Sequence, residues 1–303
     1  MILISTTREI LDQYQIRKSK KQKTAFIEWL RPVVEGAGFD MKIEKGSGAR
    51  NIVIGDVEKA KVVFTAHYDT CAVMPVPNFI TPKCIPIYIA YQVLIVLAIF
   101  VFVLAITALT RAILPGWEMV GYYLALFGLC GLMIAGPANK HTVNDNTSGV
   151  VTVLDLMQKM PVHLRDKAAF VLFDLEEAGL FGSADFASKH KKTMKDKLLV
   201  NLDCVSDGET MLFCFRKKAK QDVDLFRKCF PADTSVESDF VTKGYVYPSD
   251  QINFPRGVGV AALNKTKCGM LYMDKIHTPK DTVYREENID FLVAGCIRLT
   301  EQL

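Results

Sequence analysis

Residues 168–183 read AAFVLFDLEEAGLFGS, and they contain both a fold signal and a chemical signal. The first part, 168–175, is an apolar run whose two alternating sets of side chains are both largely hydrophobic. This pattern is typical of a central strand that helices cover on both faces. Two acids, Glu176 and Glu177, follow the run directly. Carboxylates at the end of a buried strand are costly without partners, so the stretch predicts a site there, with a solvated loop as the alternative.

Further short apolar runs surround this strand along the chain. They predict strands over 41–44, 51–54, 61–66, 168–175, 198–202, 210–215, 261–263 and 270–272. Apolar residues at helical spacing predict helices over 4–37, 148–160, 184–192 and 288–302. Strands that alternate with helices indicate an α/β fold, with a mixed, mostly parallel sheet and helices on both faces.

Two uncharged hydrophobic segments interrupt this pattern. Residues 85–109 have Gln92 as their only strongly polar side chain, and residues 119–135 form the second segment. A helix of about 20 apolar residues crosses the hydrocarbon core of a membrane. The segments therefore predict a two-helix transmembrane hairpin, carried by an insert at 75–138 that divides the main domain into 1–74 and 139–303. A buried helical hairpin and a hydrophobic lid that oligomerises are the alternatives.

Candidate metal ligands follow the predicted strands. His67 and Asp69 lie two positions apart, share a face of an extended chain, and suit an imidazole whose second nitrogen is held by a carboxylate. Each of the other motifs is weak alone; Asp145, for example, also suits an ordinary helix cap. Jointly, two histidines and three carboxylates suit two zinc ions with one bridging carboxylate. The five candidate ligands are His67, Asp145, Glu177, Asp203 and His277.

The ordered set of motifs resembles a known family. It is the zinc-exopeptidase family of bacterial leucyl aminopeptidase, the twenty-eighth metallopeptidase family, and the segments that carry the likeness are AHYDT, NDNTSGV, DLEEAGLFGS, NLD and IHTPKDT. The resemblance implies a zinc-exopeptidase fold and a two-zinc aminopeptidase that removes the N-terminal residue from peptides with a free N-terminus.

The resemblance also implies a role for each residue. One zinc would be bound by His67 and Asp203, the other by Glu177 and His277, with Asp145 bridging both. Glu176 would be the general base, and Asp69 would orient His67.

The chain departs from the family pattern in two places. Gln251 stands where the family more often has histidine, and either Tyr245 or Tyr247 would take the family's oxyanion-stabilising tyrosine role. The separation of His67 and Asp145 is far larger than the family's short loop, and removing about 75–137 restores the usual spacing. Other zinc reactions on this fold remain open: carboxypeptidase action, dipeptide hydrolysis, or glutamine cyclisation, which uses one zinc. A noncatalytic membrane receptor or scaffold is the rival from another class.

The expected cellular location of the protein follows from the order of the motifs along the chain. His67 precedes the insert and the other candidate ligands follow it, so the insert must cross the membrane an even number of times. No signal peptide is evident. We therefore expect an integral protein of the cell membrane, with the lipid bilayer as a partner and the catalytic domain in the cytoplasm.

The charge and cysteine content add little else. The chain has a net charge of +4, and its basic cluster at 17–23 predicts a solvated helix face rather than a nucleic-acid site. None of the eight cysteines forms a C-x-x-C pair, which favours reduced cysteines.

Overall fold

A mixed nine-stranded sheet forms the centre of the protein. The structure is a computed structural model that describes residues 2–74, 76, 78–231 and 235–303, with side chains from residue 6. The strands are β1 (Met41–Gly46), β2 (Ala49–Ile54), β3 (Val62–His67), β4 (Ala168–Phe173), β5 (Leu198–Leu202), β6 (Thr210–Phe215), β7 (Glu237–Val241), β8 (Gly257–Lys265) and β9 (Leu271–Tyr272). Their order is β1-β2-β4-β3-β5-β8-β6-β7, with β9 on β8. The four central strands, β4, β3, β5 and β8, are mutually parallel.

Helices cover both faces of this sheet. The described helices are α1 (Ile2–Gln13), α2 (Lys20–Gly36), α3 (Ile85–Ile113), α4 (Glu118–Ala135), α5 (Gly149–Lys159), α6 (Phe181–Lys189), α7 (Lys191–Met194), α8 (Val223–Cys229) and α9 (Glu286–Gln302). Of these, α3 and α4 do not cover the sheet but form a separate hairpin. The side chains of strand β3 pack against helices on both faces of the sheet. Val62 and Phe64 pack into the cluster formed with α2, α5 and α9, whereas Val63 packs with Phe186 of α6 on the other face. The predicted α/β class, with a parallel centre and helices on both faces, is confirmed.

The predicted single helix over 4–37 is wrong, because the chain breaks between α1 and α2. Ser19 begins α2 with a capping box, in which its side chain accepts from the Gln22 amide and the Gln22 side chain accepts from the Ser19 amide. This pair satisfies amides that a helix start leaves free. The chain between the two helices places the Arg17 side chain inside the protein.

The predicted solvated basic face is also wrong for two of its members. Arg17 is fully buried, and Lys23 is 7% exposed. Lys23 Nζ lies 2.6 Å from Asp174 Oδ1, and Asp174 Oδ2 accepts from the Arg50 amide. The pair therefore fixes α2 to the end of β4. Helical spacing alone does not show that a lysine has a buried carboxylate partner elsewhere in the chain.

The two hydrophobic segments form the antiparallel helices α3 and α4. Their most apolar 18-residue windows have mean hydropathies of 3.1 and 1.6, and only 6% of either window is buried. Helices of a globular core would be mostly covered, so this exposure separates the hairpin from the sheet domain. The helices approach closely at Gly121, where a Cβ atom would overlap the Thr110 hydroxyl. Both helices are long and apolar enough to cross a membrane.

The base of the hairpin is attached to the domain by backbone pairing. Ala72 and Ala138 form an antiparallel bridge across the neck of the insert, and Ile80 pairs with Met273 beside β9. The Met74 amide donates to the carbonyl oxygen of His277 at 2.9 Å. The hairpin therefore leaves the domain beside a candidate metal ligand.

Replacing Lys23 tests the buried pair. Lys23→Met leaves the Asp174 carboxylate buried without its cation, so we expect the free energy of unfolding to fall by about 3 to 5 kcal/mol. The measurement is denaturant unfolding in detergent. Lys21→Met, on an exposed part of the same helix, is the matched control and should change stability by less than about 0.5 kcal/mol. Equal effects of the two substitutions would contradict the role given to Lys23.

Candidate metal centre

The candidate ligands gather at one edge of the parallel strands. His67 is the last residue of β3, Glu176 and Glu177 follow β4, and Asp203 follows β5. Since these neighbouring strands are parallel, their carboxyl ends meet at the same edge, where open α/β sheets bind ligands. His277 comes from the loop after β9. The backbone turns sharply at these points, because Leu175, Cys204 and His277 all have positive φ angles.

Asp145 lies at the centre of the group, with one carboxylate oxygen toward each histidine. His67 Nε2 is 3.3 Å from Asp145 Oδ1 and 3.5 Å from Asp203 Oδ1. His277 Nε2 is 2.9 Å from Asp145 Oδ2 and 3.2 Å from Glu177 Oε2. The five predicted ligands therefore form two groups that share Asp145.

The donor atoms fit divalent cations. One carboxylate oxygen of Glu177, Oε1, is buried without a hydrogen-bond partner, and each imidazole Nε2 faces only carboxylates among its described contacts. Ligand atoms of His67, Asp145 and Glu177 lie within 4.8 Å of one another, as do those of His67, Glu176 and Asp203. Imidazole nitrogens and carboxylate oxygens are common zinc ligands, and the thiols of Cys71 and Cys204 also lie within 4.8 Å of two candidate ligands each. The five side chains are therefore suited to bind cations between the two groups that share Asp145.

The pKa shifts of the two histidines also indicate that the site favours positive charge. Burial alone would lower the pKa of His67, but the negative charges around it, Glu176 first, raise that pKa well above its ordinary value. The pKa of His277 is likewise raised against burial, chiefly by Glu177. Protonated imidazoles thus balance the carboxylates when no metal is bound. Because a metal ion binds neutral imidazole, it would replace these protons.

Asp145 is held by backbone hydrogen bonds from its own turn. The amide of Asn144 donates to Asp281 Oδ1 at 2.7 Å, and the Asp145 amide donates to Asp281 Oδ2 at 3.0 Å. The Asn144 side chain accepts from the amides of Ser206 and Asp207. The turn before α5 is therefore bound to both loops that carry the neighbouring ligands.

Asp69 contacts both sides of the site. Its carboxylate accepts from the amides of Glu176, at 3.0 Å, and Glu177, at 3.3 Å. His67 Nδ1 lies 3.1 Å from the Asp69 carbonyl oxygen and 3.6 Å from its carboxylate. The Asp69 carboxylate therefore positions the two glutamates, whereas the His67 ring is held by the Asp69 backbone carbonyl and not by the carboxylate that the H-x-D spacing predicted.

The Glu176 carboxyl lies beside the first group of ligands. Its oxygen is within 4.8 Å of the ligand atoms of His67 and Asp203. Burial raises its pKa well above its ordinary value; the charge of His67 opposes this shift, and Asp203 adds to it. A carboxylate with a raised pKa accepts a proton more readily than an exposed one.

Arg17 is a site residue that the sequence interpretation missed. Its Nε donates to the Tyr68 carbonyl at 2.6 Å, its guanidinium donates to Thr147 Oγ1 at 3.2 Å, and its own amide donates to Thr70 Oγ1. Burial lowers its pKa to about 10, against the charges of Asp69 and Asp145, so it stays protonated at neutral pH. It ties the loop after β3 to the Asp145 turn. Its place within a basic run gave no signal of this contact.

A cavity of about 260 Å³ opens onto the ligands. Tyr247 lines it, and its hydroxyl donates to the carbonyl of Asp203 at 3.0 Å. Tyr245 instead donates to the carbonyl of Phe215. The departure at Gln251 is structural here, because its amide group links Tyr247 to Asn201 of β5. The other lining residues include Asn78, Ile80, Tyr88, Gln92, Met273 and Ile276.

Comparison with known proteins agrees with this geometry. The sequence pattern of peptidase family M28 matches residues 131–291, which include Asp145, Glu176, Glu177, Asp203 and His277 but not His67. No curated protein matches the chain by sequence.

Solved structures with the same fold cover nearly the whole chain. The Legionella pneumophila aminopeptidase LapA is 13% identical, with a TM-score of 0.58, over 98% of this chain and 70% of that one. A Parabacteroides distasonis Zn-dependent exopeptidase is 12% identical, with a TM-score of 0.56, over 98% and 97%. A Bacteroides thetaiotaomicron glutaminyl cyclase is 12% identical, with a TM-score of 0.60, over 99% and 97%.

These structures share a fold and differ in activity, so they do not decide the reaction. The family match is the stronger finding, because it extends over more than half of the chain and includes four of the five candidate ligands. We conclude that this chain belongs to peptidase family M28.

Proposed function

We propose that the protein is a membrane-anchored aminopeptidase that holds two zinc ions. The observation that carries the proposal is the position of Asp145, whose two carboxylate oxygens each face a histidine from a different part of the chain. One ion would be held by His67 and Asp203 and the other by Glu177 and His277, with Asp145 shared. Bound there, zinc would supply Lewis acidity toward the scissile carbonyl and lower the pKa of a water.

The protein's own residues account for the proton transfers. The Glu176 carboxylate would accept a proton from the attacking water and deliver it to the leaving amine nitrogen as the carbon–nitrogen bond breaks. The Asp69 carboxylate would keep Glu176 in place through the amide that it binds, and the Asp69 backbone carbonyl would fix the orientation of the His67 ring.

The side chains that line the cavity disfavour binding of a peptide C-terminus. Four carboxylates, those of Asp145, Glu176, Glu177 and Asp203, line the cavity. Among its described lining residues there is no lysine or arginine. A carboxypeptidase needs a cation to bind the terminal carboxylate, for which arginine is the best partner. The two proposed zinc ions would offset the charge of the four carboxylates, so the discriminating feature is that the described lining has no such cation, which supports aminopeptidase over carboxypeptidase action.

Glutamine cyclisation is the alternative that a structural neighbour favours, since one of the similar structures is a glutaminyl cyclase. Cyclisation consumes no water, but its attacking amine must still lose a proton, so Glu176 suits either reaction. The double ligand set supports hydrolysis. A panel of aminoacyl, dipeptidyl, carboxyl-terminal and N-terminal glutamine reporter peptides, with and without zinc, distinguishes these reactions. Release of the first residue is the expected result.

The hairpin supports anchoring in a membrane. Ligands on both sides of the insert meet in one site, so the chain must return to the side on which it began. Two helices satisfy this requirement. We propose that they cross the cell membrane and that the site faces the cytoplasm, where Lys83 and Lys140 flank the hairpin at its base.

Replacing Glu176, the proposed general base, tests its role in catalysis separately from metal binding. Glu176→Gln keeps the size of the side chain but cannot accept the proton, so kcat should fall by at least about 100-fold while both metals remain. The measurements are turnover of a leucine-first peptide and the zinc content of the purified protein.

Glu177→Gln is the matched control, since it changes the neighbouring acid in the same way. It should weaken the binding of one zinc ion by about 10-fold or more. Loss of a residue that only hydrogen-bonds to a metal ligand already costs about that much, and Glu177 is proposed as a direct ligand. Near-normal turnover in Glu176→Gln would show that the roles of the two glutamates are assigned wrongly.

Cysteine labelling tests the topology. In a cysteine-free background, Gly116→Cys at the tip should react with an impermeant reagent added to intact cells, whereas Lys140→Cys at the base should not. The reverse pattern would place the site outside the cell. Labelling at neither position would mean that the hairpin dips into the bilayer without crossing it.

A further inference from the structure

The hairpin helices form part of the wall of the candidate site. Tyr88 and Gln92 of α3 line the same cavity as the ligand residues. A second cavity, of about 290 Å³, shares Gln92, Glu177 and His277 with the first and extends to Ile95 of α3 and to Met133 and Ile134 of α4. The two cavities are thus adjacent, and the second leads from the ligands to the hairpin.

Helix lengths place this second cavity at the edge of a bilayer. Helix α3 has 29 residues, or about 43 Å at 1.5 Å per residue, whereas the hydrocarbon core is about 30 Å thick. Arg111, in its last turn, belongs at the far interface. Counting about 20 residues back from Arg111 puts the near boundary close to Gln92, with Ile95 just inside the hydrocarbon.

The second helix gives the same depth independently. Trp117 and Glu118 begin α4 at the tip, and Trp suits a headgroup position. The 18 residues of α4 span about 27 Å, so Met133 and Ile134 reach the near boundary as well. The side chains that end the second cavity therefore lie at one depth, where the headgroups meet the hydrocarbon.

The contacts at the base fix this arrangement. Phe79 packs edge-on against Tyr91 of α3, with ring centroids 5.6 Å apart, and also against Tyr272 of β9. Lys18, next to the buried Arg17, donates to the carbonyl oxygen of Ile134 at the end of α4. Both helices are thereby held against the domain beside the ligands.

We propose that the substrates are peptides held at the bilayer surface, and that the hairpin forms the pocket for their first side chain. Ile95, Met133 and Ile134 would receive an apolar first residue, while its amino group and scissile bond lie in the first cavity beside the ligands. The substrate class is thus apolar N-termini that emerge from, or lie on, the membrane. This inference rests on the proposed peptidase function and on the spanning hairpin.

Hydrolysis of membrane-anchored peptides with spacers of two lengths tests how far the site lies from the bilayer surface. The full-length protein is placed in vesicles of phosphatidylcholine and phosphatidylglycerol with leucine-first peptides that carry a C-terminal acyl anchor. Spacers of about 4 and about 12 residues reach about 13 and 40 Å when extended. We expect hydrolysis of both peptides, because the site lies at the boundary. An unanchored peptide of the same sequence is the control.

The outcomes separate this inference from the proposed function. Hydrolysis of the long-spacer and unanchored peptides, but not of the short-spacer one, would place the site away from the bilayer and overturn the inference alone. Failure of all three peptides would reject the peptidase function itself.

Filling the pocket tests the hairpin residues directly. Ile95→Trp should lower kcat/KM for a leucine-first peptide by at least about 10-fold, as expected when an apolar pocket loses its fit, and should affect a glycine-first peptide far less. Val96→Trp, on the adjacent exposed position of the same helix, is the matched control. If Ile95→Trp and Val96→Trp have the same effect on both peptides, the hairpin does not form the pocket.

Discussion

The burial of Asp145 between two imidazoles is the constraint on which the site depends. Burial opposes ionisation of this carboxyl, but the hydrogen bonds and charges of His277 and His67 overcome that effect and lower its pKa. A buried carboxylate is stable only with such partners. The partners come from opposite sides of the hairpin insert, so the ends of β3, the turn before α5 and the loop after β9 must converge. Asp281 and Arg17 hold these segments together.

Much of the sheet could be predicted from the sequence, because its central strands are uninterrupted apolar runs. The predicted bounds of β5 and β6 agree with the structure. Strand β7 was missed, since Glu237–Val241 is a half-buried strand with polar residues and has no such run. The five candidate ligands could be found for a different reason: each lies in a recognisable motif, and the parallel strands β3, β4 and β5 bring His67, Glu177 and Asp203 to one edge of the sheet.

The supports of the site could not be predicted, because they act between segments that are far apart in the chain. Arg17 and Lys23 are part of a basic run, and only the fold shows that they are buried against the β3 loop and Asp174. The sequence also did not show that the hairpin borders the candidate site. The hairpin's hydropathy indicates a membrane, whereas only the structure places Gln92, Ile95 and Met133 beside Glu177 and His277. The insert therefore brings two helices that are long and apolar enough to cross a membrane beside the candidate site, in place of the short loop expected for the family.

The number of zinc ions bound per chain shows whether Asp145 is shared by two metals. Metal-free protein is titrated with zinc at neutral pH, and the ions that remain after removal of free metal are counted by elemental analysis. We expect two ions per chain, with both lost or greatly weakened in Asp145→Asn, because that carboxylate is shared. One ion or none at saturating zinc would contradict this expectation, as would an Asp145→Asn protein that keeps both ions.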